Sequence, residues 1–487
     1  MFIGQGTYAK VYKNDIYPFG MVAIKKYKKN EGIPPDMIRE VGVLQKCESS
    51  HIIKILSIRD LSIVLPLSPY SLEIYLKKNN ISLSSINYFL NDICKGIYYL
   101  HCHGIIHGDL KPSNLLIENE YTLKIIDMGF SKTSHLYNES NTHMIFSSWY
   151  RPPEIYLLKN YSWSADIWSI GCILAEMFTN SALFKSKINS ELVKSQFNIL
   201  GITPCYFHLF PDHVYKLYPT DNLKYITKSK TLYKILIGFL HPDPEFRMSL
   251  HEYFHIRKYE YANSKEVYLK YLYNYTHIQV LFNDTIIEIR KDLLLCLLAY
   301  NNTLLVNPNS YFRAVNIFDI YLKFLYDNKF PIKTRYLKII LACCYWISLK
   351  CDNYSNLKLA SLIKFCDYKY FSSEFINTEI HILNSLNWNI IFPVFSDYIS
   401  IYSHKFSFNY EQKKKYTQYM YICTLYPEFY LYNLSLLCLI AAYKTISSND
   451  FRIIFDNLDL QKLDLQNLQQ INIYLDYIFS HDLDFLK

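Results

Sequence analysis

The sequence predicts an α+β first half, residues 1–258, followed by an all-α second half. Three observations predict it. Ile3-Gly-Gln-Gly-Thr-Tyr-Ala-Lys-Val-Tyr12 and then Val22-Ala-Ile-Lys25 read as a glycine-bearing hairpin and the strand after it. Gly32-Ile-Pro-Pro-Asp-Met-Ile-Arg-Glu40 opens a helix, because a proline in the first turn lacks only an N–H that would have no helical partner. Beyond residue 259 the composition stays helical and apolar, and no second set of catalytic-type residues occurs. At 487 residues the chain exceeds one ordinary core, so two or three domains are expected.

Composition bounds the function. Hydrophobic residues make up 51% and charged residues 19%, which is globular and not disordered. The 47 Tyr and 30 Phe against 12 Gly read as codon bias and carry no chemistry. A net charge of +8 without a basic block or an aromatic–basic repeat reads as a solvated surface, so no nucleic-acid partner is expected. The 12 Cys are scattered, with no C-x-x-C pair, and are expected to be reduced, mostly buried thiols. No signal peptide is expected, and apolar runs such as Ile339–Leu349 are too short to span a bilayer. The expectation is a soluble intracellular protein with no membrane partner, in the cytoplasm or nucleus of its own cell or of an infected host.

The densest chemistry lies at His107-Gly-Asp-Leu-Lys-Pro-Ser-Asn114, with Asp127-Met-Gly129 further on. Phosphoryl transfer asks a protein mainly for positioning and charge neutralisation, and these residues supply both. Asp109 can accept a hydroxyl proton, Lys111 can neutralise a γ-phosphate, and Asn114 and Asp127 can hold Mg²⁺.

On these motifs residues 1–258 resemble a protein kinase, which implies a bilobal fold with an N-lobe over 1–68 and a C-lobe over 69–258. ATP would lie under Gly4 and Gly6, beside Val11, Ala23 and Leu116, with Leu65 and Ser68 in the hinge Val64-Leu-Pro-Leu-Ser68. Lys25 would grip its α- and β-phosphates, held by Glu40. Pro34, Ile38, Arg39 and Glu40 match the P-S-T-A-I-R-E helix of cyclin-dependent kinases, in which a cyclin pushes that helix inward. Trp149-Tyr-Arg-Pro-Pro-Glu154 resembles the end of their activation segment. It places Thr142 at the activating phosphothreonine and Arg151 beside the pocket that favours proline after the acceptor. Lys111-Pro-Ser is the serine/threonine form of the loop. Thr7 and Tyr8 match inhibitory phosphorylation sites, Asp166 would anchor the catalytic loop, and Arg247 would pair with Glu154.

Three positions depart from the family. Ala9 replaces the third glycine, Met128 replaces the phenylalanine between Asp127 and Gly129, and Gly108 replaces an arginine that helps hold the activating phosphate. Arg39 and Lys132 are the two cations left for that task, so coupling of a Thr142 phosphate to the site is expected to be weakened.

The second half resembles a cyclin. Arg290 and Asp319 are separated by 29 residues, as are Lys350 and Glu379, in contexts similar to cyclin-box helices. The resemblance implies that Arg290 and Asp319 brace two helices. Lys350 and Glu379 would reach the peptide Glu31–Ile33 ahead of the kinase helix, and Ile38 on that helix would join the kinase–cyclin contact. The expected division is a linker and packing helix over 259–275, a cyclin box over 276–388 and a second cyclin-like fold over 389–483, which carries Tyr426–Ser435. Asp292 and Cys296 stand where recruiting cyclins present an isoleucine and a tryptophan, so capture of Arg-x-Leu motifs is not expected.

The expectation is an ATP- and Mg²⁺-dependent serine/threonine kinase acting before proline, its cyclin supplied in cis, with a cell-cycle or transcription-type role. Two other readings stay open on the residues alone. One is a catalytically silent scaffold; the other is an active kinase whose second half docks another partner.

Overall fold

The computed structural model describes residues 1–5, 9–28, 31–133, 148–157, 162–210, 216–274, 284–304, 308–352, 358–395, 397–399 and 407–425, with 306, 402, 438, 441 and 442. The described residues form two compact units. Those of Met1–Leu269, Lys350–Asn356 and Asn387–Ile391 make the first; those of Lys270–Leu349, Leu357–Leu386 and Phe392–Lys487 make the second.

The first unit begins with an antiparallel sheet in the order β1-β2-β3-β5-β4, from β1 (Phe2–Gln5), β2 (Ala9–Ile16), β3 (Gly20–Tyr27), β4 (Ser57–Arg59) and β5 (Ser62–Pro66). Central β3 sets Lys25 between Val11 and Ile63, and Ala23 between Lys13 and Leu65. Helix α1 (Pro35–Lys46) follows β3, with Pro34 and Pro35 at its start, Asp36 in its first turn and Lys46 in its last, charges that suit the helix ends. Met37, Ile38, Val41 and Leu44 are its buried apolar face.

Two contacts bring segments distant in sequence onto this helix within the unit. Gly42 has Ile390 and Ile391 close above it, so that a β-carbon would stand 3.2 Å from one and 3.3 Å from the other. Lys46 Nζ donates to Ile391 O at 2.8 Å.

Below the sheet come β6 (Tyr70–Ser71), α2 (Leu72–Leu76), α3 (Leu83–Cys102), β7 (Ile105–Ile106), β8 (Leu115–Asn119), β9 (Thr122–Ile125) and β10 (Lys132–Thr133). Strands β6, β8 and β9 form one small sheet, and β7 pairs with β10. They are followed by α4 (Pro153–Leu157), α5 (Ser164–Thr179), α6 (Asn189–Leu200), α7 (Lys230–Phe239), α8 (Leu250–Ile256) and the start of α9 (Ser264–Asn274). Helix α5 is buried from Ala165 to Met177, as expected for a core helix that is apolar on all sides.

The second unit is helical: α10 (Asp284–Thr303), α11 (Pro308–Asp327), α12 (Leu337–Cys351, as far as Leu349), α13 (Leu359–Phe365), α14 (Ser372–Ser385) and α15 (Tyr410–Leu425). Arg290 of α10 meets Asp319 of α11 through two bonds, Nε–Oδ1 at 2.8 Å and Nη2–Oδ2 at 2.7 Å. The same guanidinium donates to Thr424 O on α15 at 2.9 Å, so one fully buried side chain ties three helices. Glu379 is buried on α14.

All twelve cysteines are free thiols; Cys205 and Cys296 are exposed and the other ten are buried. Among the described residues no helix is long and apolar enough to cross a membrane.

Candidate active site

Strand β3 and helix α1 together place the first charged pair. Lys25 Nζ lies 2.6 Å from Glu40 Oε2 and 2.8 Å from Asp127 Oδ1. Burial works against the Lys25 ammonium, but the carboxylates of Glu40 and Asp127 overcome it and raise its pKa, so it stays charged. Burial pushes the Glu40 carboxyl upward, with Lys25 as the main opposing charge. Asp127 is half-buried, and although that desolvation works against its charge, Lys25, with smaller contributions from His107 and Lys111, holds it below the ordinary carboxylate value.

The loop between β7 and β8 supplies the second group. Lys111 Nζ lies 2.6 Å from Asp109 Oδ2. Asn114 Nδ2 donates to Asp109 O at 2.8 Å and to Asp109 Oδ2 at 3.2 Å. That leaves the Oδ1 of Asn114 as its ligand oxygen. The N–H of Ile126 donates to Asn114 O at 3.0 Å, which sets Asn114 beside the residue preceding Asp127. An amide oxygen and an ionised carboxylate are hard oxygen donors of the kind Mg²⁺ takes, so the residues present fit that ion. Asp127 itself has φ 65°, a left-handed backbone that turns its carboxylate toward Lys25.

Asp166, in the first turn of α5, holds this loop from beneath. Its Oδ2 accepts from the His107 N–H at 2.9 Å and from His101 Nε2 at 3.0 Å, and its Oδ1 accepts from the Gly108 N–H at 3.1 Å. Burial raises the Asp166 carboxyl, but the bond and charge of His101, with His107 and the Gly108 N–H, leave it below its usual value. Arg247 binds Glu154 in two-pronged fashion, at 2.7 and 2.9 Å, and also donates to His241 O and Ser164 O. Sharing both oxygens fixes the start of α4 against the segment before α8.

The residues expected beside the nucleotide are distributed over two sheets. Gly4 pairs with Val11 across β1 and β2, while Ala23 and Leu65 face each other across β3 and β5. Leu116 lies on β8 opposite Ser71 and Lys124, and Ser68 Oγ donates to Ile117 O at 2.7 Å, which ties the segment after β5 to β8. Gly6, Thr7, Tyr8 and Thr142 lie outside the described residues, as does Tyr426–Ser435.

Around the expected phosphate pocket, Arg39 is committed to the chain itself. Its Nε donates to Gly129 O at 2.5 Å, its Nη2 to Asp36 Oδ1 at 2.6 Å and its Nη1 to Lys350 O at 2.7 Å. Lys132 is buried enough to bring its ammonium down to about 8, with the Asp352 carboxylate acting in the opposite sense and Arg39 deepening the fall. Lys350 Nζ donates to Ile33 O at 2.9 Å, in the peptide ahead of α1. Buried Ile38 is on the same helix.

Three residues of this constellation escape the motif reading. His101 shares Asp166 with the loop, Asp36 binds Arg39 three residues on, and the Tyr27 hydroxyl donates to Glu40 Oε2. Tyr27 was open to detection, since residues two apart on a strand share a face, and Lys25 occupies that face.

The arrangement has known counterparts. The family described as "Protein kinase domain" matches residues 1–258, and that described as "Cyclin, N-terminal domain" matches residues 257–391. The chain is 33% identical over 220 residues to cyclin-dependent kinase B2-2 of Arabidopsis thaliana, covering 41% of this chain and 70% of the relative. It is 34% identical over 220 residues to cyclin-dependent kinase B2-1 of Oryza sativa subsp. japonica, covering 41% of this chain and 68% of the relative. A charged site of this geometry and these similarities agree: the chain belongs to the protein kinase family, as a serine/threonine kinase of the cyclin-dependent type joined to a cyclin-like domain.

Proposed function

We propose that this chain transfers the ATP γ-phosphate to Ser or Thr followed by proline, and that its own cyclin-like half holds it active. Residues 1–258 are the kinase, 259–275 the linker and packing helix, 276–388 the cyclin box and 389–483 a second cyclin-like fold. Asp109 orients and deprotonates the acceptor hydroxyl, a contribution of roughly 10²–10⁴-fold. Lys25, kept in place by Glu40, and Lys111 bind phosphate oxygens, while Asn114 and Asp127 hold Mg²⁺, which neutralises charge on the phosphates. Arg151, buried with its guanidinium 5.0 Å from the Tyr156 ring centre, shapes the pocket for the proline.

The observation that carries activation in cis is the bond from Lys350 Nζ to Ile33 O. It caps the peptide entering α1 with a residue 317 positions away, and the Lys350 carbonyl returns a bond to Arg39 on that helix. Ile391 O on Lys46 supports the far end of the same helix. A tethered partner has an effective concentration in the millimolar range for a short linker, so no separate subunit is required.

The test compares the full chain with Lys350→Ala plus Glu379→Ala and with Asp127→Ala on a Ser-Pro/Thr-Pro peptide set. Activity in the parent, a fall of about tenfold or more in the double variant and loss in Asp127→Ala are expected. An unimpaired double variant would reduce the second half to a docking domain. Equal transfer to peptides lacking the proline would remove the proposed specificity.

A further inference from the structure

Tyr27 ends β3, two residues after Lys25, with its side chain on the same face. It is anchored at three points. Its N–H donates to Leu61 O at 2.8 Å, its Cα pairs with Ala9 across the hairpin, and its ring lies 5.6 Å from Lys25 Nζ. Its ring is almost wholly buried, and its hydroxyl donates to Oε2 of Glu40, the oxygen that also receives Lys25.

Lys25 answers to several acceptors. In the structure its ammonium is divided between Glu40 and Asp127, and phosphate binding adds a third claim. The Tyr27 hydroxyl has one proton to give, and it goes to Glu40. We propose that Tyr27 is a positioning residue, whose hydroxyl holds the Glu40 carboxylate toward Lys25 so that the inward setting of α1 does not depend on Lys25 alone. The inference rests on the reading of Lys25 as the phosphate-binding lysine. Burial, reinforced by the negative charge of Glu40, keeps the phenol protonated, as a donor must be.

A hydrogen bond to a charged buried group, when lost, corresponds to a change of roughly tenfold to a hundredfold in an equilibrium or rate. The experiment uses the full chain, with Tyr27→Phe removing only the hydroxyl, made in the parent and in Glu40→Leu, which leaves the hydroxyl no carboxylate to bind. Both ATP affinity, by equilibrium titration, and kcat/KM for peptide phosphorylation are read. The expected result is a loss of about tenfold or more in kcat/KM, together with weaker ATP binding, in the parent background, and no further loss beside Glu40→Leu. Tyr27→Phe within twofold of the parent would overturn the inference. So would equal fractional losses in both backgrounds, which mark an ordinary core residue. If the parent transfers no phosphate, the functional reading fails and the same four proteins decide Tyr27 through ATP affinity alone. If the parent binds no ATP, both fall.

Discussion

Replacing Asp166 by Asn exchanges one carboxylate oxygen for an NH₂ in a site lined only by donors. The carboxylate is fully buried and accepts three hydrogen bonds, from His107 N, Gly108 N and His101 Nε2. An Asn whose oxygen takes the Oδ2 place serves His107 and His101 and sets its NH₂ against the Gly108 N–H. The reverse rotamer sets it against both the His107 N–H and His101 Nε2. Even in the better rotamer one charge-assisted bond, worth roughly 1.5–3 kcal/mol, is lost, and a buried N–H is left facing a donor at a cost of about 1–3 kcal/mol. The expected destabilisation of the first unit is about 3–5 kcal/mol, which for a domain of this size lowers Tm by roughly 6–20 °C. Because His107 and Gly108 lead directly into Asp109, kcat should fall about tenfold or more.

The same group has a pH signature. Its folded pKa lies below the unfolded value of about 3.9, so its stabilisation is complete above that value and is lost as pH falls through the folded pKa. Asn does not titrate, so the Tm gap between parent and variant should narrow below about pH 4. Calorimetric melts at pH 7 and pH 3.5, with steady-state turnover at neutral pH, decide it. A Tm within 2 °C of the parent and kcat within threefold would refute the account of Asp166 as the anchor of the loop.

Thr142→Ala should keep most activity, because Gly108 contributes no cation and Arg39 is engaged by Asp36, Gly129 and Lys350. A turnover loss beyond about a hundredfold, ~2.7 kcal/mol, would contradict this. Gly104 has φ 70°, and a β-carbon there would stand 2.4 Å from the Tyr268 ring. Gly104→Ala should therefore lower stability by about 2 kcal/mol or more in denaturant melts, and by less when made beside Tyr268→Ala and compared with that variant alone.

The parts of the site that sequence discloses are those whose spacing is dictated by the nucleotide and the acceptor. Lys25, Glu40, Asp109, Lys111, Asn114 and Asp127 carry side-chain chemistry that has few substitutes, and the fold brings each to a neighbour in that set. Arg290 and Asp319 were legible through the resemblance to cyclin-box helices, and the structure pairs them as buried opposite charges. Arg39 was legible only in part. Its acceptors include the carbonyls of Gly129 and Lys350, and every residue owns a carbonyl, so nothing in the letters singles those two out. Tyr27 and His101 were hidden differently: each reads as a core ring, and the use of its polar atom follows from burial beside a carboxylate.

The thiol pattern offers a built-in pair of spectroscopic handles. Maleimide dyes need an accessible sulfur, and Cys205 in the first unit and Cys296 in the second are the exposed ones, while burial raises the pKa of thiols such as Cys47, Cys94 and Cys172. A donor and an acceptor fluorophore on the unmutated chain would thus label one position in each unit. Energy transfer between them would follow, in real time, how the halves respond to nucleotide and peptide.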